Sequence, residues 1–191
     1  MRMKTSTSLA AFASALLVLA LASAEYGSAR MRLAQADSQI GSGSGAGWRT
    51  YINPRFGTIA DVPASGFRAN PPPANGDGRS WTSADGRGKL AVYGSFMTVA
   101  DSVKGYRRYA VNTARERGVC VTYQAGRGDW FAYSGFDGSN IVYAKVVVSR
   151  RCATQIANHI YLEYPRAQKA RYNRVVKRMA TSLRGGTGPC P

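Results

Sequence analysis

Val119-Cys120-Val121-Thr122-Tyr123, Trp130-Phe131-Ala132-Tyr133 and Ile141-Val142-Tyr143-Ala144-Lys145-Val146-Val147-Val148 are three runs rich in β-branched and aromatic residues. Between them stand Ala125-Gly126-Arg127-Gly128 and Asp137-Gly138-Ser139-Asn140, which are turn material. Short runs of this composition, bounded by Gly, Asp and Asn clusters, predict an antiparallel meander. The connections are too short for the crossover of a dozen or more residues that parallel strands need. The rest of the chain can be placed against these three strands.

Downstream, Ile160 and Leu162 alternate with Tyr161 and Glu163 in a further strand closed by Pro165. Arg166 to Arg184 then has helical spacing, with Tyr172, Val175, Val176, Met179 and Leu183 as its apolar stripe. Arg166, Arg171, Arg174, Lys177, Arg178 and Arg184 fill the opposite arc, and no acidic residue interrupts them. Without acids at i,i+4 these cations gain nothing from ion pairs within the helix. They are the candidate contact surface for an anionic partner.

Upstream, Val99, Val103, Tyr106, Ala110 and Thr113 recur at three or four residues, which predicts a helix over Val99–Arg117. Asp101 and Ser102 are its candidate caps, and Gly118 fits its stop. Arg79–Thr82 and Lys89–Phe96 read as two strands around Ala84-Asp85-Gly86-Arg87-Gly88, with Leu90 and Val92 in the core. Pro71-Pro72-Pro73 marks the preceding segment as a loop, because three prolines exclude helix and central strand alike. Trp48, Tyr51, Phe56, Ile59 and Val62 open the ordered part, with a short strand near Gly57–Val62 ended by Pro63.

The first 24 residues read as an export leader. Arg2 and Lys4 form a positive start, Leu9–Leu21 is apolar, and Ala22-Ser23-Ala24 offers the small residues of a cleavage site before Glu25. The apolar run falls short of the roughly 20 residues needed to cross a bilayer. Residues 25–47 have no period and end in Gly41-Ser42-Gly43-Ser44-Gly45-Ala46-Gly47, a composition that behaves as flexible linker. One domain over 48–184 and a tail over 185–191 follow. The expected location is the periplasm or the exterior of the cell.

Of the 191 residues, 26 are Lys or Arg and 10 are Asp or Glu, a formal net charge of +16. Removing Arg2 and Lys4 with the leader leaves 24 basic residues against the same 10 acids, or +14. Such a balance favours anionic partners and says nothing about fold. Nucleic acid is disfavoured: Tyr106-Arg107-Arg108-Tyr109 interleaves aromatics and cations as single-strand binders do, yet Tyr106 belongs to the apolar stripe and an exported chain rarely meets nucleic acid.

Export makes a disulfide reasonable, and the chain holds Cys120, Cys152 and Cys190. If the strand at Cys120 runs up, the meander brings Cys152 just past the top of the sheet. The last helix, about 19 residues at 1.5 Å each or roughly 28 Å, returns Cys190 to the same end. Cys152–Cys190 is therefore the expected bond, contributing about 2–4 kcal/mol. Cys120, in mid-strand, is expected to be a buried small hydrophobe.

Catalytic and metal-binding patterns are sparse. His159 is the only histidine, and the three cysteines are too scattered for a zinc site. Asn75-Gly76-Asp77-Gly78 fails as a calcium loop, because the fifth position is Arg79 and the twelfth is Gly86. No Gly-x-Ser-x-Gly elbow exists. No residue pattern points to a cofactor. Asp77 and Asp129, beside glycines in loops, are the carboxylates on which hydrolysis would have to rest.

Trp48 and Tyr51 leading into Asn53-Pro54-Arg55-Phe56-Gly57, Pro63, Asn75-Gly76-Asp77-Gly78 with Asp85-Gly86, Trp130-Phe131 with Ser134-Gly135, Glu163-Tyr164-Pro165 and Ser182-Leu183 together carry a resemblance. Over about Trp48 to Arg184 the chain resembles a group of exported bacterial proteins with PsbP/Mog1-like architecture. That resemblance implies an antiparallel sheet with helices packed against it, and it implies no catalytic signature. The expected fold is α+β: a single antiparallel sheet flanked by two main helices. The expected function is non-enzymatic binding of an anionic envelope surface or a partner protein. The alternatives are a hydrolase using Asp77 and Asp129, and a structural subunit of an envelope assembly.

Overall fold

A computed structural model describes residues 47–151 and 154–186. The strands are β1 (Trp48–Ile52), β2 (Thr58–Pro63), β3 (Phe67–Ala69), β4 (Gly78–Ser83) and β5 (Lys89–Phe96). Helix α1 (Val103–Glu116) follows, then β6 (Cys120–Arg127), β7 (Trp130–Asp137), β8 (Asn140–Arg151) and β9 (Thr154–Pro165). A 3₁₀ turn (Arg166–Gln168) leads into α2 (Lys169–Ser182), and the two-residue β10 (Arg184–Gly185) closes the described chain.

The strands form two sheets, not one. Seven pair in the order β3-β4-β5-β9-β8-β7-β6, and a separate sheet has the order β1-β2-β10. The expectation of a single sheet is thus corrected. Strand character is local, but β2 finds one partner in the adjacent β1 and the other in β10, beyond α2. No spacing in the sequence announces that second pairing. The meander itself forms as β6, β7 and β8 with antiparallel register. The strand expected at Ile160 is longer than the alternation suggested, and β9 inserts between β5 and β8.

Side chains alternate across a strand, so each face of the large sheet can be followed from the register. One face carries Leu90, Val92, Ile160 and Leu162, which pack with Ala60 and Val62 of β2 and with Tyr172, Met179 and Leu183 at the C-terminal end. This is the main core, roofed by α2 and the small sheet. Gly94 of β5 makes the close approach possible: a Cβ there would run into Phe56 and Thr58 of the small-sheet hairpin. Thr58 then donates to Asn158 Oδ1 at 2.8 Å, a hydrogen bond that ties β2 to β9.

The opposite face is covered by α1. Tyr106 packs with Phe131, Val146 and Ala157, and Ala114 with Val119 and Val142. Ser102 caps the helix, its Oγ accepting from the Gly105 N–H at 3.1 Å. Helix α1 is shorter than the predicted Val99–Arg117, since Val99 to Asp101 precede the Ser102 cap and Arg117 follows the last helical residue.

Candidate functional site

Two features of the described chain have the makings of a site: the basic arc of α2 and an aromatic cleft beneath α1. On α2, Arg171, Arg174 and Lys177 are exposed and have no acidic partner within ion-pair distance among the described residues, and Arg166 lies over the Phe136 ring at 4.9 Å. Arg184 donates to the Ser182 carbonyl at 3.1 Å. Arg178 is different. Its guanidinium pairs with Asp61 at 2.6 Å, and that carboxylate, in a residue only 6% exposed, also accepts from Thr50 Oγ1 at 2.9 Å. Arg178 therefore leaves the set of outward cations. The helix carries no acid, and the acid that holds Arg178 comes from β2, 117 positions away.

The first turn of α2 contains no acidic residue. Lys169 and Arg171 instead sit at the positive end of the helix dipole, where a cation is disfavoured by about 0.3–1 kcal/mol. An anion held against this end would relieve that cost.

The cleft under α1 encloses about 330 Å³. From the sheet it is lined by Tyr93, Tyr133, Tyr161, Asp137 and His159, and from α1 and the residue after it by Tyr106, Tyr109, Ala110, Thr113, Ala114 and Arg117. The sequence reading assigned Tyr106 to the helix stripe and placed no site here. A usable signal was present in the tyrosines at 93, 133 and 161, one on each of three strands, but their shared face depends on register.

His159 is buried at the back of the cleft. It stacks on Tyr93 with ring centroids 4.3 Å apart and planes 6° from parallel. Its Nε2 lies 3.1 Å from Ser95 Oγ and 3.3 Å from the Tyr106 hydroxyl. Burial pushes the imidazole down to about 3, so it is neutral and serves as a hydrogen-bonded wedge. Burial also pushes the Tyr161 phenol up to about 12 and raises those of Tyr93, Tyr106 and Tyr133, which keeps all four as O–H donors near neutral pH. The cleft thus offers rings and hydroxyls, and its imidazole is a weak base held against the Ser95 and Tyr106 hydroxyls.

The carboxylates of the hydrolase alternative do not come together. Gly78, next to Asp77, is in register with Tyr93, then His159, Val146 and Phe131, the last two residues beyond Asp129. Four strand spacings put about 19 Å between them, whereas two-carboxylate hydrolysis works at about 5–10 Å. Asp77 is instead clamped by Arg55 at 2.6 Å and by Asn75. No group of three or more His, Cys, Asp or Glu among the described residues is placed to hold a metal ion. No helix among them is long and apolar enough to cross a membrane.

Cys152 and Cys190, and so the expected disulfide, lie outside the described residues. Cys120 is exposed, which corrects its expected burial. It stands on β6, the outer strand of the large sheet, opposite Phe136. That residue row faces the side roofed by α2, and α2 packs chiefly on β2, β9 and β8.

No protein-family model matches the chain, and no curated protein matches it in sequence. Among solved structures it is similar to the cyanobacterial PsbP (CyanoP) of Synechocystis sp. PCC 6803, at 13% identity and a TM-score of 0.54, over 76% of this chain and 98% of that one. It is also similar to the Saccharomyces cerevisiae Ran-binding protein Mog1p, at 11% identity and a TM-score of 0.46, over 68% of this chain and 90% of that one. At such identity a likeness speaks to architecture alone. The described residues have a PsbP-like fold, built from a seven-stranded and a three-stranded sheet with two helices.

Proposed function

We propose that this chain is an exported bacterial protein of the cell envelope or exterior that binds an anionic surface or an acidic partner protein and catalyses no reaction. The observation that carries the reading is the outer arc of α2, where Arg171, Arg174 and Lys177 are exposed and have no acidic partner among the described residues. They belong to a chain that keeps 24 basic residues against 10 acids, or +14, once Arg2 and Lys4 leave with the leader, so the long-range field adds to the local one. Arg166 and Arg184 extend the arc at its two ends, while Arg178 braces it from behind through Asp61.

The test is sedimentation with phosphatidylglycerol vesicles over a range of salt. Binding is expected to weaken steeply with ionic strength, because exposed charges are screened beyond about 8 Å at physiological salt. Arg171, Arg174 and Lys177 changed together to Glu are expected to abolish it, with the fold intact by circular dichroism. Binding that survives the triple reversal, or that ignores salt, overturns the reading.

A further inference from the structure

The slot in the aromatic cleft follows from one row of the register. Ala91 stands opposite Tyr161, Tyr161 opposite Ala144, and Ala144 opposite Tyr133. Tyr161 and Tyr133 are thus two strand spacings apart, about 10 Å, with only the Ala144 methyl on the floor between them. Above this row α1 presents Ala110, Thr113 and Ala114, whose small side chains leave the space unfilled. A planar ring set midway would lie about 5 Å from each tyrosine, within the 4.5–7 Å at which aromatic pairs interact favourably. The enclosed volume of about 330 Å³ sits at the small end of ligand pockets, which run from about 300 to 1,000 Å³.

The charges at the cleft set the rest of the ligand. Arg117, at the C-terminal end of α1, and Asp137, at the end of β7, both line it. Neither forms an ion pair among the described residues. Arg117 acts electrostatically on Tyr93 and Tyr133, where Asp137 does not figure, whereas at Tyr161 Asp137 acts more strongly than Arg117. On the Tyr133 and Tyr93 side of the slot the guanidinium is the charge that acts, and its planar fork suits a carboxylate.

We propose that this cleft binds a small aromatic carboxylic acid, its ring held between Tyr133 and Tyr161 over Ala144 and its carboxylate on Arg117. This site lies on the opposite side of the large sheet from α2, so it stands or falls independently of the anionic-surface reading.

Calorimetric titration of the full chain with phenylacetate, 2-phenylethanol, 2-phenylethylammonium and acetate tests it. Phenylacetate is expected to bind saturably at one site, 2-phenylethanol at least about tenfold more weakly, and the ammonium and acetate not measurably. Arg117→Met, at an exposed position, is expected to lower phenylacetate affinity to that of the alcohol while leaving the alcohol unchanged. Ala144→Leu is expected to remove both by filling the slot; should that variant fail to fold, Tyr133→Ala serves in its place and is expected to weaken both. The Arg171/Arg174/Lys177 reversal is expected to leave phenylacetate binding untouched. Equal or tighter binding of the alcohol or the ammonium, indifference to Arg117→Met, or no binding of phenylacetate at millimolar concentration would overturn the proposal.

Discussion

The two faces of the seven-stranded sheet are built from the same strands and do different work. On the α2 side, β5 and β9 contribute Leu90, Val92, Ile160 and Leu162, all essentially fully buried, and the roof of α2 and the small sheet closes over them. On the α1 side the neighbouring positions are Tyr93, Tyr161 and His159, joined by Tyr133 from β7. Aliphatic side chains interdigitate to crystal-like density. Tyrosines alternating with alanines do not, because each ring is tall and its neighbour short, and each hydroxyl needs a partner or water. One face became a core and the other a cleft, although the backbone is shared.

Acid titration should separate the faces most. Unfolded His159 takes up a proton below its ordinary value of 6.5, while the buried native imidazole declines one until about 3. Between those limits the unfolded chain holds more protons, so stability present above pH 6.5 is lost as pH falls toward 3, by up to about 1.4 kcal/mol per unit. His159→Gln should remove this component of the pH dependence, as urea melts from pH 7 to 3 would reveal. Equal slopes for the two proteins would mean that the α1 face admits water and charge freely.

Truncation should come next in size. Leu162→Ala is expected to cost about 3–4 kcal/mol, as deletions in a dry core do. Tyr133→Ala, at the half-buried cleft wall, should cost about 1 kcal/mol. Similar losses in denaturant melts would erase the distinction between core and cleft.

Gly94→Ala probes the seam between the sheets. The added methyl meets Phe56 and Thr58, and overpacking of this kind costs about 1–3 kcal/mol. A thermal melt unchanged from the parent would show that the small sheet can lift away without loss.

The smallest pair of effects lies on α2. Arg178→Ala leaves the Asp61 carboxylate without its charged partner and should cost about 2 kcal/mol. Arg174→Ala should change stability by no more than about 0.5 kcal/mol. Chemical denaturation of both variants checks this, and equal effects would put Arg178 back among the outward cations.

What was legible in the sequence follows from how far each signal reaches. The glycine-bounded runs at 119–148 located three strands, and Ser102 stood among the candidate caps of α1. The loop marked by Pro71-Pro72-Pro73 runs ahead of β4, and in it Asp77 is held by Arg55 and Asn75. The cleft was not legible. It requires Tyr161 and Tyr133 to flank Ala144, and that depends on β9 entering between β5 and β8. The Arg178–Asp61 pair was hidden for the same reason, as was the exposure of Cys120 on an outer strand.

Taken alone, the sequence located most of the strands, both helices and the turns of the meander, and showed that α2 carries cations without acids of its own, while Arg184, placed in the helix, stands in β10. Those properties come from periods of two and of 3.6 residues, which any backbone imposes on the side chains nearest along the chain. Tertiary structure decided the second sheet, the order of the seven strands, the withdrawal of Arg178 and the slot between two tyrosines. Each of these rests on hydrogen bonds and packing between residues tens of positions apart, where the register of one strand against another chooses which side chains meet.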